Sequence, residues 1–255
     1  MPHRAAPGDH FSGIAASYAA FRPTYPAALF ERLASLVPTR RLAWDCAAGS
    51  GQATLDLAHW FDHVIGSDVS AKQIALAPAH PRITWQVAPA ESSGLARDSA
   101  DLIAVPQALH WFDLKRFYRE ARRVATDGGI IAAWSYGSAE LGGELGDLYR
   151  KFEHETMGPY WPAERRLVTE VYRTVEFPFD EVEFAPMTLE AVWTRDQLLG
   201  YMRTWSATTR YAARHNSDPI AGFAHEIRSV WPDASERRPI TWPLTVRVGR
   251  ISKLQ

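Results

Sequence analysis

Two acids and two glycines in this sequence stand at intervals that could bind a ligand. Asp45 ends a short apolar run, and Gly49 and Gly51 follow it in a turn of small residues. Such a turn lets a ligand lie against the backbone, and the N–H groups of the following helix add donors at a positive dipole end. Asp68 stands 23 residues after Asp45, at the end of a second apolar run. In nucleotide-binding α/β units an acid at this position accepts hydrogen bonds from the ribose hydroxyls.

Three interpretations of the glycine turn compete. A phosphate-binding loop requires a lysine followed by Ser or Thr, whereas Gln52 and Ala53 follow Gly51. A dinucleotide fingerprint requires a third glycine where Thr54 stands. A turn that joins a strand to a helix and binds nothing is the third interpretation, and the position of Asp68 disfavours it.

The pattern acidic-x-Gly/Ala-x-Gly-x-Gly is formed by Asp45, Ala47, Gly49 and Gly51. It resembles motif I of class I S-adenosylmethionine-dependent methyltransferases, with Ala47 in place of the usual first glycine. Residues 66–70 resemble the G-x-D-x-S motif that follows it in that family. The resemblance implies that S-adenosylmethionine (SAM) is the cofactor and that the fold is Rossmann-like.

A further motif follows the fourth predicted strand, at the sheet edge where open α/β folds bind ligands. From Gln107 to Asp113 the sequence reads Q-A-L-H-W-F-D. It resembles motif IV of a small-molecule group similar to trans-aconitate methyltransferase. Methyltransferases that act on nucleic-acid or protein amide nitrogen usually carry Asn/Asp-Pro-Pro-Tyr/Phe there. The absence of that motif argues against DNA, RNA or glutamine as the substrate.

The segment from Tyr18 to Pro26 reads Y-x-x-x-R-P-x-Y-P and resembles the lead-in of the same group. In that group the segment folds over the cofactor as part of a lid. The resemblance therefore implies an N-terminal lid at residues 11–38, with Tyr18, Arg22 and Tyr25 facing the pocket.

The resemblance also implies methylation of a carboxylate oxygen, because related enzymes esterify small polyacids. A carboxylate is ionised at pH 7 and needs a cation that holds it rather than a base, which suits an arginine fork. We expect Arg22 to be this clamp and Arg203 to be a second one. His110 would donate a hydrogen bond, and Tyr18 and Trp111 would shape the pocket.

Other acceptors and roles stay open. A hydroxyl would need a base with a pKa near 7, which a histidine can supply, so His110 would then be the general base. His110 could also be a packing residue beside the cofactor. The same fold could methylate a nitrogen or carbon of another metabolite, or bind SAM without turnover.

The expected site residues come from several separate segments. Those expected to contact SAM are Tyr25, Asp45, Ala47, Gly49, Gly51, Asp68, Val69, Ala90, Glu91, Gln107 and Trp111, and the expected catalytic residues are His110, Arg22 and Tyr18. A typical Asp near the adenine amine is missing, because Pro89 or Ala90 occupies its place. Glu91 could make that contact or be a helix-start charge. No cluster of His, Cys and Asp has metal-ligand spacing, so no metal is expected.

Strands alternate with helices along the first half of the chain, which predicts a parallel sheet with helices on both faces. We expect a seven-stranded Rossmann-like α/β sheet whose last strand, residues 240–248, runs antiparallel beside the fifth. The alternation breaks down at about residues 137–180, where we expect an inserted helical cap. We expect a disordered tail at residues 1–10 and a single methyltransferase domain at residues 11–255.

Composition argues against several classes of function. The formal net charge is −1, so no field that attracts nucleic acid or an anionic membrane is expected. No apolar run reaches about 18 residues, so no membrane span is expected. Cys46 is the single cysteine, which fits a reducing cytoplasm. We expect a cytoplasmic enzyme with a small-molecule substrate, no nucleic-acid or membrane partner, and a monomeric or weakly homodimeric state.

Overall fold

The computed structural model describes residues 21–253, so the predicted tail and residues 11–20 of the predicted lid lie outside the described residues. Within that range eight strands form one mixed sheet. They are β1 (Leu42–Cys46), β2 (His63–Asp68), β3 (Ile83–Val87), β4 (Ala100–Pro106), β5 (Ala125–Tyr136), β6 (Asp180–Val182), β7 (Met187–Thr194) and β8 (Arg237–Ile251). Their order is β3-β2-β1-β4-β5-β8-β6, and β7 also pairs with β8.

The first five strands are parallel, with Trp44 of β1 opposite Ile65 of β2 and Ile103 of β4. Parallel strands covered on both faces are continuously apolar, and β4 is buried along nearly its whole length. Trp44 itself is fully buried, and its indole N–H donates to the Ser67 hydroxyl at 2.8 Å. Because the strands are parallel, the residues that follow β1, β2 and β4 meet at one edge of the sheet.

The two faces of the sheet carry two separate hydrophobic clusters, because side chains alternate along each strand. On β4, Leu102 and Ala104 belong to one cluster, while Ile103 and Val105 belong to the other. The parallel, doubly covered architecture that the sequence predicts is thereby confirmed.

The sheet has eight strands rather than the predicted seven. β8 is long enough to pair with β5 through residues 244–251 and with β7 through residues 237–244. The short β6 pairs with β8 at residues 248–250. The sequence analysis does not predict β7, in which Leu189 is the one buried residue.

Nine α-helices lie in the described part of the chain. They are α1 (Ala27–Leu36), α2 (Gln52–Leu57), α3 (Ala71–Leu76), α4 (Leu114–Val124), α5 (Gly143–Lys151), α6 (Arg165–Thr169), α7 (Arg195–Arg203), α8 (Ser206–His215) and α9 (Ile220–Val230). Short 3₁₀ turns span Leu109–Trp111 and Gly158–Tyr160, and a π-helical turn spans Phe152–Thr156.

Side chains cap two of the helix starts. The Asp113 side chain accepts from the N–H of Arg116 at the start of α4. Thr194 and Gln197 form a reciprocal capping box at the start of α7. Helix α4 ends at Val124, because the chain is already extended at Ala125, where β5 begins.

The helices outside the parallel core form a second layer, which we call the helical cap (residues 143–169 and 195–230). The first part lies within the predicted insertion, and the second lies between β7 and β8. Aromatic contacts join the two parts. Ring centroids are 5.7 Å apart for Tyr149–Trp205, 4.9 Å for Tyr160–Tyr211 and 4.8 Å for Phe152–Phe223.

Candidate functional site

A cavity of about 730 Å³, here called the large cavity, opens where β1, β2 and β4 end. Most of the predicted site residues lie on its wall. They are Arg22, Tyr25, Ala47, Gly49, Asp68, Val69, Ala90, Glu91, Gln107 and Trp111. Tyr18 lies outside the described residues, and Asp45, Gly51 and His110 do not line the large cavity.

The two glycines of the turn after β1 have different reasons to be glycine. Both have a left-handed backbone conformation, with φ of +59° at Gly49 and +97° at Gly51. A Cβ on Gly51 would lie 2.3 Å from the Trp85 ring, so the packing of Trp85 leaves no room for a side chain at this position. A Cβ on Gly49 would meet no atom within 4 Å, because Gly49 borders the large cavity. Gly49 therefore leaves backbone open to a ligand.

Asp68 is held by the loops on either side of it. One carboxylate oxygen accepts from the Gly49 N–H at 3.0 Å, and the other accepts from the Ser70 N–H at 2.8 Å. Burial raises the pKa of Asp68, and these two hydrogen bonds oppose the rise. Each carboxylate oxygen can accept a further hydrogen bond, so the group can hold a vicinal diol at the cavity wall.

Asp45 lies behind the turn rather than on the cavity wall. It is fully buried and accepts a hydrogen bond from the Thr54 hydroxyl at 2.5 Å. Burial raises its pKa to about 7. In this position Asp45 ties the end of β1 to α2 and supports the turn from beneath.

Apolar side chains form a flat wall beside Asp68. Val69 is 51% exposed and Leu76 is 54% exposed, although both are apolar and line the large cavity. Ala90 lies on the same wall. Glu91 does not lie in the first turn of a helix of its own, because no helix begins at residue 91. Its carboxylate accepts the Asp113 N–H at 2.9 Å and so holds the start of α4 beside the cavity.

A second and smaller space, here called the small chamber, lies between the sheet edge and the helical cap. Arg22, Gln107, Trp111 and Tyr136 line both spaces. The further lining residues include His110, Trp161, Arg165, Tyr201, Trp205 and Ser206. The chamber is therefore rich in aromatic rings and contains two guanidinium groups.

Arg22 stands on the shared wall of the two spaces. Its guanidinium donates to the Tyr136 hydroxyl and to the Thr204 carbonyl, each at 3.3 Å. It also lies 5.3 Å from the centroid of the Tyr201 ring. The neighbouring Phe21 ring packs directly on Gly200, since a Cβ on Gly200 would lie 2.5 Å from two of its ring carbons. These contacts fix the approach of the N-terminal segment to α7.

His110 lines the small chamber and contacts Tyr172. Its Nδ1 lies 2.8 Å from the Tyr172 hydroxyl. Burial lowers the pKa of His110 to about 4, while Glu164 and Arg165 act on it in opposite directions. The imidazole is consequently neutral at pH 7.

Arg165 was not among the expected site residues, yet it lines the small chamber. Its guanidinium lies 3.6 Å from the centroid of a Trp161 ring and donates through Nη2 to buried Glu153 at 2.9 Å. Arg203, the predicted second clamp, lines neither space and pairs with Asp218 at 3.1 Å on the surface. The Arg165-Arg166 pair was visible in the sequence only as part of a charged cap segment.

Two negative findings hold for the part of the chain that the structure describes. Residues 21–253 contain no group of three or more His, Cys, Asp and Glu side chains that could hold a metal ion. None of the helices in this range has the length and apolar character needed to cross a membrane.

Comparison with known proteins gives consistent similarities. A family model described as a methyltransferase domain matches residues 44–133. A protein of Dictyostelium discoideum named as a methyltransferase is 34% identical over 216 residues, which cover 83% of this chain and 82% of the relative. A Saccharomyces cerevisiae protein named as an S-adenosylmethionine-dependent methyltransferase is 24% identical over 253 residues, covering 84% of this chain and 87% of the relative. A solved structure from Anaeromyxobacter dehalogenans, described as a type II methyltransferase, has a TM-score of 0.86 at 43% identity and covers 92% of this chain and 100% of that one.

Proposed function

Since the chain belongs to the class I S-adenosylmethionine-dependent methyltransferases, whose cofactor is SAM, we propose that it methylates a carboxylate oxygen of a small molecule. The observation that carries this proposal is the position of Arg22 on the wall shared by the large cavity and the small chamber. An acceptor oxygen must meet the methyl group at that boundary. A guanidinium there is a planar fork that matches a carboxylate.

The large cavity fits the cofactor in three respects. Its volume of about 730 Å³ lies in the range of cofactor sites. Asp68 would accept hydrogen bonds from the ribose hydroxyls, and the wall of Val69, Leu76 and Ala90 would lie against the adenine. The open backbone at Gly49 lets the ligand approach closely. The expected SAM contacts of Asp45 and Gly51 would be indirect, through the support that these residues give to the turn.

When bound, SAM supplies an electrophilic methyl group on a positively charged sulfur. Transfer to a carboxylate forms a C–O bond as the C–S bond breaks, and no proton is released. The chain's own task is then to hold the acceptor in line and to keep water out. Arg22 would hold the carboxylate, and the rings of Trp111, Trp161 and Trp205 would exclude water from the small chamber.

The protonation state of His110 favours a carboxylate over a hydroxyl as the acceptor. A hydroxyl needs a base whose pKa lies near the working pH. Burial lowers the pKa of His110 to about 4, so it is a weak base at pH 7. A carboxylate requires no base, since its own pKa is near 4.

The finer aspects of this function follow from the sequence motifs. The Q-A-L-H-W-F-D run and the Y-x-x-x-R-P-x-Y-P lead-in support membership of the group similar to trans-aconitate methyltransferase. On the same basis Tyr18 would shape the small chamber, and residues 11–38 would act as a lid. The balanced charge supports a small-molecule acceptor rather than a nucleic acid. A monomer or weak homodimer in the cytoplasm is the proposed working state.

The test begins with ligand binding. SAM at about 100 times its dissociation constant should raise the free energy of unfolding by about 2.7 kcal/mol, and NAD should not. The protein is then incubated with methyl-labelled SAM and panels of small carboxylic acids, phenols, alcohols and amines. We expect a labelled product from the acid panel that releases methanol on mild alkaline hydrolysis. A labelled product that resists alkali would be an ether or an N-methyl compound and would overturn the proposal.

A further inference from the structure

Tyr172 reaches His110 from an unusual backbone conformation. Val171 and Tyr172 are consecutive non-glycine residues in the left-handed region, with φ of 51° and 57°. This region is unfavourable for residues with a Cβ, and a β-branched residue such as Val171 is an outlier there. Strain of this kind persists where the surrounding structure fixes it, and it is enriched at functional sites. Its result here is a fully buried Tyr172 ring whose hydroxyl lies 2.8 Å from His110 Nδ1.

The strained turn is held from two sides. The Tyr172 N–H donates to the Leu167 carbonyl at 2.8 Å. From β8, one nitrogen of Arg247 donates to the carbonyls of Tyr172 at 2.9 Å and Val175 at 2.7 Å. The Arg247 guanidinium also lies 4.6 Å from the centroid of the Phe177 ring. These contacts keep the phenol in a fixed position relative to the imidazole.

The hydrogen bond between the Tyr172 hydroxyl and His110 Nδ1 has a direction that follows from the chemistry of the two groups. The Ser135 side chain and the His110 backbone both form hydrogen bonds with the Tyr172 hydroxyl. Burial nevertheless raises the pKa of Tyr172 above its ordinary value, so the phenol keeps its proton. A phenol O–H is a stronger donor than a neutral imidazole N–H, and an imidazole nitrogen is a stronger acceptor than a phenol oxygen. Tyr172 therefore directs its O–H to His110 Nδ1, which lies 2.8 Å away. A neutral imidazole that accepts at Nδ1 carries its proton on Nε2.

We propose that Tyr172 is a positioning residue that fixes His110 as the tautomer protonated on Nε2, so that the imidazole is a neutral hydrogen-bond donor to an anionic acceptor in the small chamber. The hydrogen bond then runs from the Tyr172 hydroxyl to the His110 ring that lines the small chamber. The identity of the acceptor as an anion rests on the proposed function, whereas the tautomer does not depend on it.

This arrangement has a definite kinetic consequence. Transfer of a methyl group from a sulfonium to a carboxylate removes both charges, so the acceptor oxygen is most negative before the reaction. A donor to that oxygen therefore helps binding at least as much as it helps the transition state. Loss of the donor's orientation should raise the KM for the acceptor and leave kcat nearly unchanged.

The test compares Tyr172→Phe with Tyr118→Phe. Tyr118 is also buried and donates its hydroxyl to a backbone carbonyl, that of Glu176 at 2.6 Å, but it lines neither space. We expect the acceptor KM to rise about fivefold in Tyr172→Phe and kcat to stay within about twofold. Tyr118→Phe should change neither. A large loss of kcat at unchanged KM in Tyr172→Phe would overturn the donor assignment and make His110 a base.

Nitrogen-15 NMR of the histidine rings reads the tautomer directly, with the His110 signals identified by their loss in His110→Asn. We expect wild type to carry the proton on Nε2, and Tyr172→Phe to show a mixture of tautomers. Ser135→Ala, which leaves the phenol in place, should shift the ratio less. A wild-type proton on Nδ1 would overturn the proposal. An alkali-stable product with the Nε2 tautomer intact would instead overturn the proposed function alone.

Discussion

The large cavity and the small chamber share a wall but are assembled differently. Many polar groups of the large cavity lie at or directly after the ends of β1, β2, β3 and β4, and these strands are neighbours in the sheet. The small chamber draws on residues as far apart in sequence as Arg22, Arg165 and Tyr201. One space is a property of the parallel sheet, and the other exists only after the helical cap has packed.

The two spaces also differ in charge. Asp68 and Glu91 line the large cavity, while Arg165 and the shared Arg22 line the small chamber. This separation suits a cationic cofactor on one side and an anionic acceptor on the other. The comparison predicts that substitutions in the two spaces affect the two ligands separately.

The largest expected effect belongs to the large cavity. Asp68→Ala removes the acceptor of two backbone N–H groups and of the ribose hydroxyls, and we expect SAM affinity to fall about 100-fold, equivalent to about 3 kcal/mol. Titration calorimetry measures it. Asp101→Ala is the matched control, because Asp101 also accepts two backbone N–H groups, at 2.9 and 3.2 Å, but does not line the cavity. Equal losses of SAM affinity in the two variants would contradict the proposal that Asp68 binds the ribose hydroxyls.

The two glycines of the turn should separate stability from ligand binding. Gly51→Ala combines a left-handed φ with a Cβ that would meet Trp85, and we expect it to lower the free energy of unfolding by about 2 kcal/mol or more. Gly49→Ala meets open space and should cost about 1 kcal/mol, but its methyl group enters the large cavity and should weaken SAM binding. Urea unfolding measures the change in stability, and titration calorimetry measures the change in SAM affinity. Equal destabilisation by both substitutions would contradict the packing argument at Trp85.

A smaller effect is expected at the shared wall. Arg22→Ala should raise the acceptor KM about tenfold and change SAM affinity by no more than about twofold. Arg22→Lys should restore little of the loss, because an ammonium cannot form the planar fork. Arg203→Ala is the control, since Arg203 is an arginine on the surface outside both spaces. If Arg22→Ala weakened SAM binding as much as Asp68→Ala does, the assignment of the two spaces would be reversed.

The difference in assembly also explains what could be predicted from the sequence. Asp68, Gly49 and Gln107 could be located because each follows a strand within a few residues, and the parallel sheet brings strand ends together. The alternation of strands and helices predicted the parallel part of the fold. It does not depend on packing between distant segments.

The small chamber could not be predicted in the same way. Arg165 enters it because the Trp161 ring and buried Glu153 hold its guanidinium, and neither contact follows a sequence spacing rule. Arg203, the expected second clamp, lies on the outer surface of α7, where Asp218 is its partner. The strand β7 was also not predicted; it has one buried residue, Leu189, and pairs with the first half of β8.

The smallest expected effect is the response of activity to pH, and it tests whether His110 is a base. Burial lowers the pKa of folded His110 to about 4 from an unperturbed value of 6.5. Between these values the unfolded chain binds more protons than the folded one, so this residue makes the free energy of unfolding fall as the pH drops from 6.5 towards 4.

His110→Asn should lack that contribution, which urea unfolding at several pH values would detect. Activity on an ionised carboxylate should have the same pH profile in the wild type and in His110→Asn between about pH 5.5 and pH 8. The acceptor and His110 keep their protonation states across that range, and the titration of Asp45 near pH 7 is common to both proteins. A fall in kcat on acidification through about pH 6.5, absent from His110→Asn, would mean that the histidine removes a proton during the reaction. The small chamber would then hold a hydroxyl, and Arg22 would have another role there.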